Sequence, residues 1–241
     1  MKKIIALFLL VASSITYAAT DHRVYDAHDI HSIFIKSGSG NIKIGASQDE
    51  KIHIALLKRQ FDDNCKLLIE KANKVLIIKS TNKSWLKSSN CEVDFGLKIP
   101  KAINLDLKSG SGDLSIADIK GKLKFSLGSG DVTINADISN IDGQTDSGSI
   151  YIKGLTGDAN LQSGSGDINL VYHSLPDAGK INIKTASGDA ELCLPSQSKV
   201  LTDLRTSNGH ISNAFKDSKH PDFKISIQSG SGSVTLKKST A

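Results

Sequence analysis

After Val11 the sequence contains no apolar run long enough to cross a bilayer, and the stretch Ile4 to Val11 is itself too short to do so. That excludes a membrane-spanning helix from the reading. Aromatic residues amount to 5% with a single Trp, and the lysines are scattered rather than gathered on one element, which excludes a nucleic-acid binder that stacks bases between cations. Proline occurs four times and never in a cluster, so no stiff linker divides the chain. The pattern Gly-x-Ser-x-Gly is missing and no histidine recurs beside the many serines, so no hydrolase nucleophile is offered. A polysaccharide lyase on a parallel β-helix would need long cleft-forming insertions bearing Asp, Lys and Arg, and the spacing from Gly112 to Gly166 leaves no room for them. The sequence therefore reads as that of a protein that is not an enzyme, with no catalytic, metal-ligating or cofactor-binding set.

The start is distinctive. Met1-Lys2-Lys3, the apolar run Ile4 to Val11 and the small-residue site Thr16-Tyr17-Ala18 have the form of a secretory signal peptide over 1–18. No cysteine follows that site, so a lipid anchor is not expected. The leader takes two lysines and no acid with it, so the formal charge falls from +5 to +3. Export to the periplasm or beyond permits disulfides. Cys65 and Cys91, both in polar loop-like contexts, are the expected pair, which leaves Cys193 before Pro195 as a free structural thiol. His22, His28 and His31 alternate with Asp21, Asp26 and Asp29, side chains that can ligate metals. A mobile N-terminal segment over 19–32 is the plainer expectation.

What the sequence does have is a repeat. Ser-Gly motifs recur eight times, with reference glycines at Gly40, Gly112, Gly130, Gly148, Gly166, Gly188, Gly209 and Gly232. Successive steps are 72, 18, 18, 18, 22, 21 and 23 residues, and the first equals four times 18. Two and four residues after each glycine lie aliphatic side chains such as Ile42 and Ile44, or Val132 and Ile134, with polar residues between. Five and seven residues before it the same alternation holds, as in Leu107 and Leu105 or Ile183 and Ile181. A period of two means extended chain, so each unit is a strand, a glycine-permitted corner and a second strand with one apolar face. Gly143 and Asn213 break the pattern at inward positions.

Four buried aliphatic side chains supply on the order of 10 kcal/mol. Ordering eighteen residues costs roughly 1.5 kcal/mol each. A unit therefore persists only when stacked on its neighbours. Ser-Gly-Ser-Gly is not the Asn-Gly or Asp-Gly signature of a two-residue hairpin, which disfavours an antiparallel meander. The expectation is an all-β, single-stranded parallel β-helix or β-solenoid of 18 to 23 residues per coil. Residues 33–100 are less regular and are expected to form the first coils and an end cap containing Trp85; residues 101–241 form the regular solenoid.

With Leu97-Lys98-Ile99-Pro100 leading into Leu105 to Leu114, the Gly-Ser-Gly-Asp corners that follow, Glu191-Leu192-Cys193-Leu194-Pro195, and Thr206 to Ile211, the chain from Asp29 to Lys237 resembles the bacterial "putative adhesin" family described as domain of unknown function 4097. The resemblance implies a β-solenoid. It also implies adhesion, to a partner the residues do not name.

Two columns emerge when the repeats are aligned. The residue after each glycine is Asn41, Asp113, Asp131, Ser149, Asp167, Asp189, His210 or Ser233. A carboxylate ladder could take Ca²⁺, but the run is interrupted and its members are short side chains suited to bonding a nearby backbone amide, so corner capping is the expectation. Four residues before each glycine, Lys36, Lys108, Lys184 and Arg205 alternate with Ser and Gln to make a partly basic stripe. Such a stripe suits an anionic glycan or lipid head group, or simply water. The functional expectation is a non-enzymatic exported binding protein whose partner is a glycan, an envelope protein or another copy of itself. A self-assembling structural solenoid is the alternative, with a carbohydrate-active enzyme a distant third.

Overall fold

The structure is a computed structural model and describes residues 20–83, 91–175 and 178–239. The expected leader and Trp85 lie outside these residues. Every regular element in them is a strand, and all nineteen strands belong to one sheet system. No helix among them is long and apolar enough to cross a membrane.

The regular coils begin with β8 (Asn104–Ser111) and the first part of β9 (Leu114–Ser129), followed by β10 (Val132–Ser147), β11 (Ile150–Leu155), β12 (Asp158–Ser165) and β13 (Ile168–Tyr172). β14 (Gly179–Ser187) and β15 (Ala190–Pro195) complete the series. The strand before each glycine belongs to a first limb and the strand after it to a second. β9 and β10 are long because each runs out of the second limb and round into the first. All pairings between successive coils are parallel. On the first limb Leu105 lies beside Leu123, then Ile141 and Ala159. On the second, Leu114 lies beside Val132, then Ile150 and Ile168. The inward residues of both limbs are buried and form one continuous core.

Gly143 faces inward and its vacancy is filled. A Cβ there would stand 2.1 Å from Cε1 of Phe125 in the preceding coil, so the glycine makes room for that ring. Gly179 yields to Phe223 in the same way.

Both ends depart from the expectation that coils stack in sequence order. The coil of β2 (Ser32–Ser37) and β3 (Ile42–Ala46) pairs directly with β8 and β9, Ile33 beside Leu105 and Ile42 beside Leu114. The 72-residue step is thus one layer, not four coils. Between the two the chain makes β4 (Lys51–Gln60), β5 (Cys65–Ala72), β6 (Val75–Asn82) and β7 (Glu92–Ile99). β6 and β7 form a coil on the far side of β2 and β3, and the chain then returns to add β8 on the near side. The disulfide Cys65–Cys91 ties β5 to the entrance of β7, with Cα atoms 5.5 Å apart. Three pairings here are antiparallel: β5 with β6, β7 with β4, and β4 with β1 (Thr20–Asp26). β1 corrects the mobile segment expected over 19–32, because the free edge of β4 gives its backbone partners from Thr20 to Asp26 and Tyr25 packs on the core.

At the other end β18 (Phe223–Ser231) and β19 (Val234–Ser239) are inserted between β14 and β15 on one side and β16 (Val200–Asn208) and β17 (Ile211–Asn213) on the other. Side chains explain the order. Phe223, Ile225, Ile227, Val234 and Leu236 are buried, which needs a coil above and below. The positions of the outer coil that pair with Ile225 and Leu236 are Thr202 and Asn213, and Ile211, beside Val234, is 50% exposed. A coil this polar suits the end of a stack, which is the reason Asn213 breaks the pattern.

If Gly143 is the counterpart of the Phe125 ring, Gly143→Leu alone should destabilise by about 1 to 3 kcal/mol through overpacking. Combining it with Phe125→Ala should recover most of that loss relative to the sum of the single changes in a denaturant-unfolding double-mutant cycle. Additive losses would contradict the assignment.

Candidate functional site

At each corner the backbone of one coil presses on the next. The would-be Cβ of Gly148 lies 2.0 Å from the carbonyl oxygen of Gly130, and the same relation runs through Val93, Gly40, Gly112, Gly130, Gly148, Gly166, Gly188, Gly232 and Gly209 in that order. Seven of the eight reference glycines have positive φ, from +107° at Gly40 to +144° at Gly232. Only glycine meets both demands.

Beside them the acid column is a chain of hydrogen bonds. Asp131 N–H donates to Asp113 Oδ1 at 2.9 Å, Ser149 N–H to Asp131 Oδ1 at 2.8 Å, and Asp189 N–H to Asp167 Oδ1 at 2.8 Å. Asn41 and Ser149 fill the same role as acceptors for Asp113 and Asp167. The amide capped is therefore the next coil's, not that of the residue's own turn. Asp94 begins the column and also accepts from Arg59 Nε at 2.6 Å. It escapes the sequence pattern because Val93 stands where a glycine would.

A second column, three residues before six of the eight glycines, is buried: Ser37, Ser109, Thr145, Ser163, Thr185 and Ser229. Each hydroxyl donates to a backbone carbonyl at the corner, as in Ser109 to Ser111 at 2.8 Å and Ser229 to Gly188 at 2.9 Å. These two columns turn the acid and hydroxyl positions of the motif toward the backbone, which makes the corner a structural joint.

Two surfaces remain on the first limb. The stripe four residues before each glycine runs Lys79, Lys36, Lys108, Ser126, Gln144, Gln162, Lys184, Gln228, Arg205 by strand register. Lys36, Lys108, Lys184 and Arg205 are exposed, but they are not gathered. Three cations, Lys79, Lys36 and Lys108, stand side by side near one end of the stack, where Lys79 and Lys108 both lie 5.8 Å from the Phe34 ring, and Lys184 and Arg205 stand near the opposite end, where Arg205 pairs with Asp203 at 2.8 Å. A cleft of about 940 Å³ beside Lys184 and Arg205 is floored by the small residues Ala186, Ser207 and Gly230.

Between the stripe and the strand starts lies a groove of about 540 Å³. Its inner row is Asp106, Lys124, Asp142, Asn160 and Asn182; its outer row is Asn104, Lys122, Asn140, Asp158 and Lys180. The inner row is cross-linked: Asn182 Nδ2 donates to Asn160 Oδ1 at 2.8 Å, Asn160 Nδ2 to Asp142 Oδ1 at 2.8 Å, and Lys124 Nζ stands 3.7 Å from Asp142 Oδ2. In the outer row Lys122 N–H donates to Asn104 Oδ1 at 2.9 Å and Lys180 N–H to Asp158 Oδ1 at 2.8 Å. Asp106 Oδ1 is shielded and has no hydrogen-bond partner. The sequence reading did not isolate this groove. Reading the columns six and eight residues before each glycine would have found it.

Other titratable groups do not converge. Among the described residues no three of His, Cys, Asp and Glu are placed to hold a metal ion. His22 lies on β1, and Asp21 is held below its ordinary value by the hydrogen bond from Arg23. Asp49 is lowered by His53 Nε2 at 3.0 Å. Cys193 is half-buried and its thiol is pushed up by burial and then by Glu191, the opposite of an activated nucleophile. Tyr172 is raised by burial, and its hydroxyl donates to the Gly157 carbonyl at 2.7 Å.

Parallel coils, a one-residue-type corner and polar columns on an outer face define a repeat protein of the β-solenoid class. The chain belongs to the family described as Toastrack DUF4097, whose pattern matches residues 27–241. Among solved structures it is similar to a "putative adhesin" from Bacteroides fragilis, at 17% identity and a TM-score of 0.62 over 91% of this chain and 98% of that one. It is also similar to two proteins from Parabacteroides distasonis. One is named a "putative lipid binding protein" (17% identity, TM-score 0.47, covering 90% and 96%) and the other a "putative adhesin" (16%, 0.45, 90% and 97%). At these identities the likeness shows the fold alone. Among curated proteins no match is found.

If the acid column caps the neighbouring coil, Asp131→Ala should cost about 1 kcal/mol and Asp131→Asn much less. Calcium should leave the melting temperature of the wild-type chain unchanged; a rise on addition of Ca²⁺ would instead make the column a cation site.

Proposed function

We propose that this protein is an exported, non-enzymatic, adhesin-like binding protein, and that the outer face of its first limb, groove and stripe together, is the surface that meets the partner. The observation that carries this reading is the groove: ten polar side chains in two rows, several held in place by hydrogen bonds to one another or to the backbone, on a face that the fold leaves open. A protein using this face only for solubility gains little from holding Lys124 beside Asp142, because surface ion pairs contribute little to stability. Three features support export: the leader-like start, the Cys65–Cys91 disulfide, which persists in oxidising compartments, and the likeness to the adhesin-named structure from Bacteroides fragilis. The raised Cys193 and the structural use of the corner serines support a role without covalent chemistry.

The test is saturable binding of the fluorescently labelled mature chain to intact bacterial and host cells. Changing Asp142 and Asn160 to Ala together should abolish most of the binding, while Tyr151→Ser, on the exposed second limb, should leave it intact. Equal binding by both variants would contradict the assignment of the face.

A further inference from the structure

The chemistry of the groove narrows its occupant. Resting on the reading that the first limb is the binding face, we propose that the groove takes a neutral linear polysaccharide lying along the stack, across the strands, with about one sugar ring per coil.

Charge is the first argument. The groove carries three aspartates, Asp106, Asp142 and Asp158, and three lysines, Lys122, Lys124 and Lys180, so an ionic polymer of either sign gains no net attraction. The second is hydrogen-bonding type. Amide and carboxylate side chains offer donors and acceptors side by side, which matches hydroxyl groups that both donate and accept. The third is spacing. Equivalent side chains repeat at about 4.8 Å from coil to coil, so the five coils of the groove span about 19 Å. A pyranose ring advances an extended polysaccharide by a comparable step, so each ring can stand beside one pair of side chains, one from each row. An extended peptide advances about 3.3 Å per residue, so it falls out of step within a few coils. The last is preorganisation. The Asp142, Asn160 and Asn182 ladder and the backbone bonds to Asn104 and Asp158 fix the rows before the ligand arrives, which removes the ordering cost that weakens binding by mobile side chains.

The experiment is isothermal titration of the mature chain with neutral glucan, mannan and galactan oligosaccharides of increasing length, alongside an anionic uronan. The proposal expects at least one neutral series to bind, with affinity that rises with length and levels off near five rings and that is insensitive to salt. Asp106→Ala and Asn160→Ala should each weaken it at least about tenfold, Asp106→Asn less, and Tyr151→Ser not at all. Binding confined to the uronan and lost in salt would overturn the neutral ligand while leaving the face as a binding surface. Cell binding that depends on Asp142 and Asn160 with no oligosaccharide bound would overturn the polysaccharide but not the proposed function. Oligosaccharide binding indifferent to Asp106 and Asn160 would overturn the groove.

Discussion

Everything in this molecule depends on how closely the backbone of one coil approaches the corner of the next. At Gly148 the neighbouring carbonyl oxygen occupies the place a Cβ would take, and φ is +140°. Those two demands admit glycine alone, and because they recur together at seven corners they hold the coils in one register. The acid and hydroxyl columns on either side then satisfy the amides and carbonyls that the tight corner exposes. With the corner fixed, the alternation along each strand has only one way to face, and the apolar residues of both limbs meet in one core.

That same register builds the outer face. A residue at a given offset from the glycine stands beside its counterpart in the next coil, so any column of side chains becomes a row on the surface. Columns of Asp, Asn and Lys on the first limb become a rigid groove with a repeat set by strand spacing. The scaffold and the proposed binding surface are therefore products of one constraint. Function needs no departure from the repeat here, only a choice of outward residues.

Much of the fold was legible in the sequence because a period of two and a recurring glycine leave few alternatives. Ile42 and Ile44, Leu105 and Leu107, and their counterparts stand where the alternation places them. The order of coils at the ends was not legible. Nothing local distinguishes a coil that is followed by its neighbour in sequence from one that waits for a later segment to be inserted, and the difference between the outer coil and the inserted one lies in Thr202 against Ile225 and Asn213 against Leu236, a contrast visible only once pairing is known. β1 was missed because a strand on the edge of another needs no strong pattern of its own. The groove was not legible for a related reason: the columns six and eight residues before each glycine mix Asp, Asn, Lys and Ser with Phe34 and Leu201, and their identity as a surface depends on stacking.

The stacking order is the claim from which the rest follows, and engineered crosslinks read it directly. β18 lies against β14, with Asn182 beside Ser226, and β16 lies beyond, with Asp203 beside Ser226. Cysteines at Asn182 and Ser226 should oxidise to an intramolecular disulfide in the folded protein, because adjacent strands hold their Cα atoms within disulfide range. Cysteines at Asn182 and Asp203, separated by an intervening strand, should not. A crosslink between 182 and 203 with none between 182 and 226 would mean that the coils stack in sequence order, and would contradict the account.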